Sequence, residues 1–137
     1  MTVAIWLFAT GGVMLIGIGM FFVFVRPPLL PEDLRFLGRS SSEIEELLPQ
    51  LRPWLRRVFA VLGGHAIAAG GLTLFVALAD VRGGGIAAIV ALALAGGASI
   101  GLMTAVNFAI RSDFRWMLLG TAVLWTAAVA LALATPL

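Results

Sequence analysis

The chain has 137 residues, 61% of them apolar, and only nine Arg and seven Asp or Glu carry charge, for a formal net charge of +2. A charged fraction of 12% is about half that of soluble globular domains, which excludes an ordinary soluble fold. The absence of Cys removes disulfides, thiol nucleophiles and thiolate metal sites, and the basic pI reflects Arg that never titrates, so neither a metal nor a nucleic-acid partner is expected. Using Arg at every basic position, with Ala, Gly, Val and Leu at most others, suits a high-GC bacterial genome.

Four uncharged runs, Thr2 to Val25, Val58 to Ala79, Gly83 to Ile110 and Trp116 to Leu137, hold all but 41 of the residues. A hydrocarbon core is crossed by about 20 apolar helical residues, and each run reaches that length. The expectation is an all-α, integral membrane four-helix bundle of antiparallel up-down topology. It forms one domain over 1–137, with spans near 2–25, 54–79, 84–110 and 116–135 and a loop at 26–53. The first run is read as a retained membrane helix rather than a secretory signal. It is too long, no basic residue precedes it, and it ends in Arg26, Pro27 and Pro28 rather than a small-x-small cleavage site.

The loop that follows is punctuated. Arg26 precedes two prolines and must leave the helix, while Pro31, Glu32 and Asp33 suit the first turn of a short cytoplasmic helix that Gly38 would end. Ser42 and Glu45 have capping-box spacing, and Ile44, Leu47, Leu48 and Leu51 recur at i, i+3, i+4 and i+7 as an amphipathic segment that Pro49 should interrupt. With five acidic residues in the loop, this segment lacks the basic face of a membrane-surface helix and reads as a linker whose leucines cover the bundle mouth; docking of a partner or headgroups is the alternative.

Arg counts orient the chain. Arg26, Arg35, Arg39, Arg52, Arg56 and Arg57 in the first loop and Arg111 and Arg115 in the third oppose Arg82 alone. The positive-inside rule then places loops 26–57 and 111–115 in the cytoplasm of a bacterial inner membrane and both termini outside. Trp54, Arg56, Arg57, Arg111, Arg115 and Trp116 are the expected anchors at the bilayer interface.

Helices in lipid associate where small residues let backbones approach. Ala93, Gly97, Gly101 and Ala105 form such a stripe in the third span, and Ala60, Gly64 and Ala68 another in the second. These two spans are therefore expected to pack closely, helped by the short connection Asp80 to Arg82. Gly12, Gly17 and Gly19 in the first span make no single clean face.

No Asp, Glu, Lys or Arg lies within the four runs, which disfavours proton-coupled transport by an embedded carboxylate. His65 is the one titratable group there, ~12 Å past Arg57 at the helical rise and so near the midplane. Gly17, Met103, Trp125 and Thr126 match its depth, and Ala69 and Thr73 share its stripe. Its functional readings are a haem ligand with Met103, or across a dimer, and a polar group in a ligand cavity with Ser99, Thr104, Asn107 and Trp125. The plainer reading, which we adopt, is an imidazole satisfied by a backbone carbonyl or a hydroxyl, with no cofactor. Asn107 and Arg111, one helical turn apart, could share a partner, and Asp113 lies on the same face as Glu32 and Asp33, but no catalytic motif accompanies them.

The sequence segments PEDLRFLG and NFAIRSDFRW carry no activity signature. The reading ranked first is a noncatalytic membrane protein that assembles through small-residue faces with itself or with a larger inner-membrane complex. The alternative is a small-solute or ion pathway, or a hydrophobic-ligand or haem-binding bundle, built on His65.

Overall fold

A computed structural model describes residues 2–79 and 85–134. The described elements are all helical: α1 (Thr2–Val25), α2 (Pro31–Leu37), α3 (Ser41–Leu47), α4 (Leu51–Ala79), α5 (Ile86–Ala109) and α6 (Arg115–Ala134). Four of these, α1, α4, α5 and α6, are long and apolar enough to cross a membrane. The Asp80 to Arg82 connection lies outside the described residues.

The tightest helix pair is α1 with α4, not the expected pairing of the second and third apolar helices. Glycines explain the difference. A Cβ added to Gly19 would lie 2.6 Å from the carbonyl oxygen of Gly63, and one added to Gly63 would lie 2.6 Å from that of Gly19. Gly12 and Gly70 approach in the same way, with a Cβ on Gly70 falling 2.6 Å from Gly12 O. In both helices the two glycines are seven residues apart, two turns on one face, and the pairing runs antiparallel because Gly12 meets Gly70 while Gly19 meets Gly63. Backbone thus meets backbone, and dispersion contacts accumulate where side chains would hold the helices apart.

The small residues that the i, i+4 rule selected face elsewhere. Gly64 and Ala68 are exposed, and nothing lies within 4 Å of a Cβ placed on Gly64. In α5 the Ala93, Gly97, Gly101 and Ala105 series does not form one packed face. The stretch Gly97–Gly101 is π-helical, between α-helical Ile86–Gly96 and Leu102–Ala109. A π turn inserts one extra residue, so positions beyond it rotate by about 100° from where uninterrupted α geometry would put them. Gly97 and Ala105 end up exposed, and Gly101 is only half-buried.

Trp125 of α6 locks the remaining contacts. Its indole Nε1 donates to Leu92 O at 2.9 Å, and its ring lies where a Cβ on Gly96 would fall, 2.5 Å from Cδ1 and Cε2. Phe8 of α1 meets it edge-on at 6.2 Å between centroids, and a Cβ on Gly11 would sit 2.8 Å from its Cε3. Around it gather Ala4, Ile5, Leu15, Ala77, Ile89, Leu92, Ile100, Ala128 and Ala132. The first segment of α5 packs on both α4 and α6, whereas Leu102–Ala109 packs on α6. Most of the core therefore occupies the half of the bundle nearest Thr2, and the opposite half opens.

Between α1 and α4 the chain obeys its caps. Pro27 and Pro28 end α1, and the last turn is π-helical, with Arg26 N bonding Phe21 O at 2.7 Å. Pro31 opens α2, and Gly38 closes it in the left-handed region at φ 63°, with Arg39 N returning to Leu34 O. The capping box of α3 is Ser40 with Glu43, two residues before the expected Ser42 and Glu45: Ser40 N donates to Glu43 Oε2 at 2.7 Å, and Glu43 N donates to Ser40 Oγ at 3.2 Å. Pro49 sits in the break between α3 and α4, as its missing N–H requires. The helix then begins at Leu51, so Pro53 lies in its first turn, where the missing donor costs nothing.

Candidate functional site

The open half of the bundle encloses a cavity of about 500 Å³. One wall is the end of α1, with Met14, Gly17, Ile18, Phe21 and Phe22; another is the second segment of α5, with Met103, Val106, Asn107 and Ile110. Met117 and Leu118 of α6, Phe114 beside it and Phe59 of α4 complete the apolar lining, and Leu30, Glu32 and Asp33 of the α2 entry close the end. Gly17 is exposed at the rim, with no atom within 4 Å of a Cβ placed on it.

The polar closure is built from the two segments PEDLRFLG and NFAIRSDFRW, which the fold brings face to face. The α5 to α6 turn ends α5 with Arg111 in the left-handed region at φ 53°. Ser112 N bonds Asn107 O at 2.9 Å and Arg111 N bonds Phe108 O at 3.1 Å, the two bonds of a Schellman motif, here with Arg where Gly is usual. That turn buries Ser112. Its hydroxyl accepts from Phe114 N at 3.2 Å and donates to Glu32 Oε1 at 3.1 Å, an 80-residue link from α2 to the turn. Glu32 is 4% exposed.

Asp33, the next residue, does two jobs. Its Oδ2 accepts from Leu30 N at 2.8 Å, satisfying an orphan donor at the start of α2, and from Arg26 Nη2 at 2.9 Å. The Arg26 side chain is 8% exposed. Its guanidinium carbon stands 3.7 Å from the Phe59 centroid and 5.4 Å from that of Phe22, and Nη1 donates to Pro27 O at 3.0 Å. This cation is held by a carboxylate, two rings and a carbonyl, a geometry that guanidinium supports and ammonium does not. A second cross-link, Arg35 to Asp113 at 3.5 Å, is exposed on both sides and contributes little. Asp113 thus shares a face with Glu32 and Asp33 but meets Arg35.

Of the residues singled out for a cavity around His65, Asn107 lines this one, as does Met103, and the others do not. His65 is exposed on α4, and its Nδ1 lies 2.8 Å from Val61 O, so its own helix satisfies it and it shares no cavity with Met103. Ser99 donates to Ala95 O at 2.5 Å, Thr104 to Ile100 O at 2.7 Å and Thr126 to Ala122 O at 2.8 Å, each bond closing on its own helix four residues back. Asn107 Nδ2 bonds Met103 O at 2.8 Å rather than a partner shared with Arg111. Trp125 is a buried strut. Among the described residues no group of three His, Asp or Glu side chains stands close enough to hold a metal ion.

Of the residues expected as interface anchors, Trp54 and Trp116 are 58% and 63% exposed, Arg56, Arg57 and Arg111 are exposed, and half-buried Arg115 stacks on Trp116 at 5.7 Å. Sequence reasoning missed Arg26, Glu32, Phe59 and Ser112 as parts of one site. Arg26 was visible as a loop charge and Glu32 as a helix-start residue on the same face as Asp113, and no local signal pairs Glu32 with a serine 80 residues away. Comparison with family models, with curated proteins and with solved structures finds no match.

Proposed function

We propose that the protein is a noncatalytic, four-pass membrane protein that binds a lipophilic small molecule in the cavity between α1, α5 and α6. The single observation that carries this reading is an apolar cavity of about 500 Å³ with polar groups at one end, in the size range of small-molecule sites. The four apolar helices support insertion in an up-down arrangement. The excess of Arg in loops 26–57 and 111–115 supports a bacterial inner-membrane location with those loops cytoplasmic and both termini outside. In that orientation the cavity opens at the cytoplasmic half of the bilayer, with Gly17 at a rim that a membrane-dissolved ligand reaches sideways.

The test is native mass spectrometry of protein gently extracted from its own membrane. A small-molecule mass retained by the wild type and lost in Gly17→Phe supports the reading, and identical spectra for the two proteins refute it. Because the chain has no Cys, single substitutions Thr2→Cys and Arg39→Cys report sidedness with a membrane-impermeant thiol reagent in intact cells: labelling of position 2 and protection of position 39 is the expected pattern.

A second reading, assembly with itself or with a partner membrane subunit, is favoured by Gly64, Ala68 and Gly71, which lie exposed on α4. Small outward faces of this kind suit helix association in lipid. Substituting Gly64 and Gly71 by Leu is expected to shift the copy number in the same spectra; unchanged stoichiometry counts against it.

A further inference from the structure

We infer that the cavity selects cations: its ligand is a lipophilic amine or onium ion whose positive charge sits against Glu32. The inference rests on the cavity being a ligand site and adds the charge of the ligand. Glu32 is 4% exposed and faces the cavity, and its one hydrogen bond among the described residues comes from the Ser112 hydroxyl. A carboxylate taken out of water is stable only when paired or fully hydrogen-bonded, and Glu32 has no cation within 4 Å among the described residues.

Arg26, Arg35 and Arg115 are already engaged, and Arg111, beside Ser112, is exposed and makes no ion pair with Glu32 among the described residues. Arg26 is committed to Asp33 at 2.9 Å and to the Phe59 face at 3.7 Å. Arg35 pairs with Asp113 at 3.5 Å, and Arg115 Nη1 is held by the carbonyls of Arg111 and Ser112 at 3.0 and 2.9 Å. Arg26 and Asp33 cancel, which leaves the cavity lining with one unbalanced negative charge.

The rest of the lining suits the same ligand. Phe21 and Phe114 put aromatic rings in the lining, which suit an onium charge, and Met103 and Met117 offer polarisable, adaptable contacts to its apolar substituents. A neutral ligand of the same shape would fill the walls and leave Glu32 uncompensated. An anion would be repelled.

Tetraphenylphosphonium and tetraphenylborate test the charge directly, since the two ions share a shape and differ in sign. Equilibrium dialysis of each against the full-length protein in detergent, with protein-free micelles subtracted and Gly17→Phe defining the cavity component, is expected to show at least tenfold preference for the phosphonium. N-phenyl-1-naphthylamine, a neutral aromatic, serves as the probe for the cavity alone. In Glu32→Gln, phosphonium binding is expected to fall at least tenfold while binding of the neutral probe stays within twofold.

If the neutral probe binds the wild type with no phosphonium preference, or if Glu32→Gln leaves phosphonium binding intact, the cation inference is overturned while the cavity reading stands. If no probe shows a component sensitive to Gly17→Phe, both fail together. Should Glu32→Gln not fold, the comparison of the two tetraphenyl ions on the wild type decides alone.

Discussion

Adjacent glycines on α4, Gly63 and Gly64, have opposite roles, and substituting each by Ala separates them. At Gly63 the new methyl would meet Gly19 O at 2.6 Å, with Val23 Cγ2 at 2.7 Å and Phe22 Cβ at 3.0 Å. The oxygen belongs to a helix backbone and cannot rotate away. Restoring an ordinary contact near 3.4 Å takes a separation of about 0.8 Å, and gaps of that size forfeit roughly a quarter to a half of each dispersion contact along the seam. Overpacking of this kind costs about 1–3 kcal/mol. Against it stands the gain of about 1 kcal/mol when Gly becomes Ala within a helix. At Gly64 the same gain comes without a clash, because nothing lies within 4 Å.

Since both sites lie mid-helix, the propensity gain cancels in the comparison. Gly63→Ala should be less stable than Gly64→Ala by about 1–3 kcal/mol, roughly 5- to 150-fold in the unfolding equilibrium. SDS titration in mixed micelles, followed by far-UV circular dichroism, measures the difference. Equal midpoints for the two variants would refute the Gly19–Gly63 seam and with it the assigned pairing of α1 and α4.

Three other outcomes follow from particular contacts. Gly96→Ala should destabilise by about 2 kcal/mol or more in the same titration, because Trp125 is pinned between Gly11 and Gly96 and cannot retreat, whereas Trp125→Phe, losing the bond to Leu92 O, should cost about 0.5–1.5 kcal/mol for that bond plus a packing term. His65→Ala should leave phosphonium binding and the cofactor content of the purified protein unchanged, since His65 is exposed and bonds Val61 O; loss of binding or of a haem absorbance would contradict its placement. The Ser40 backbone N–H, its hydroxyl and Arg39 together hold the Glu43 carboxyl below its ordinary 4.5. A depressed carboxyl stabilises the folded form above its unfolded pKa and loses that contribution as pH falls through the folded value, so the α3 cap is intact at neutral pH and lost in acid. NMR titration of the Ser40 amide should show a midpoint below 4.5, and one at or above it would dismiss the cap.

The four long helices and the punctuation between them follow from residue-level properties. Burying or exposing Leu, Val and Ala has the same sign wherever they sit in a run, so the four uncharged runs announce themselves, and the long helices match them to within a residue or a few at each end except that α4 starts at Leu51, seven residues before its run. Pro27, Pro28, Pro31 and Pro49 act through their own missing N–H, and Gly38 through its own φ, so these boundaries needed no partner. Helix faces were a different matter. The choice between Gly63 and Gly64 as the packing residue depends on where α1 lies, and both belong to the same Gly-Gly pair. The α5 stripe failed because its spacing assumes 3.6 residues per turn, and the π turn at Gly97–Gly101 breaks that register.

The site belongs wholly to tertiary structure. Glu32 looked like a favourable charge in the first turn of a short helix; it is that locally, and it still performs that role. Only the folding of α2 onto the α5 to α6 turn buries the carboxylate beside Ser112, in a cavity that four Phe side chains also line, because their proximity spans 80 residues and no periodicity encodes it. His65 drew notice for the opposite reason, as a rare residue in an apolar run. Its helix carbonyl was enough to satisfy it, whereas the buried carboxylate of Glu32 came from the short helix that the fold carried inward.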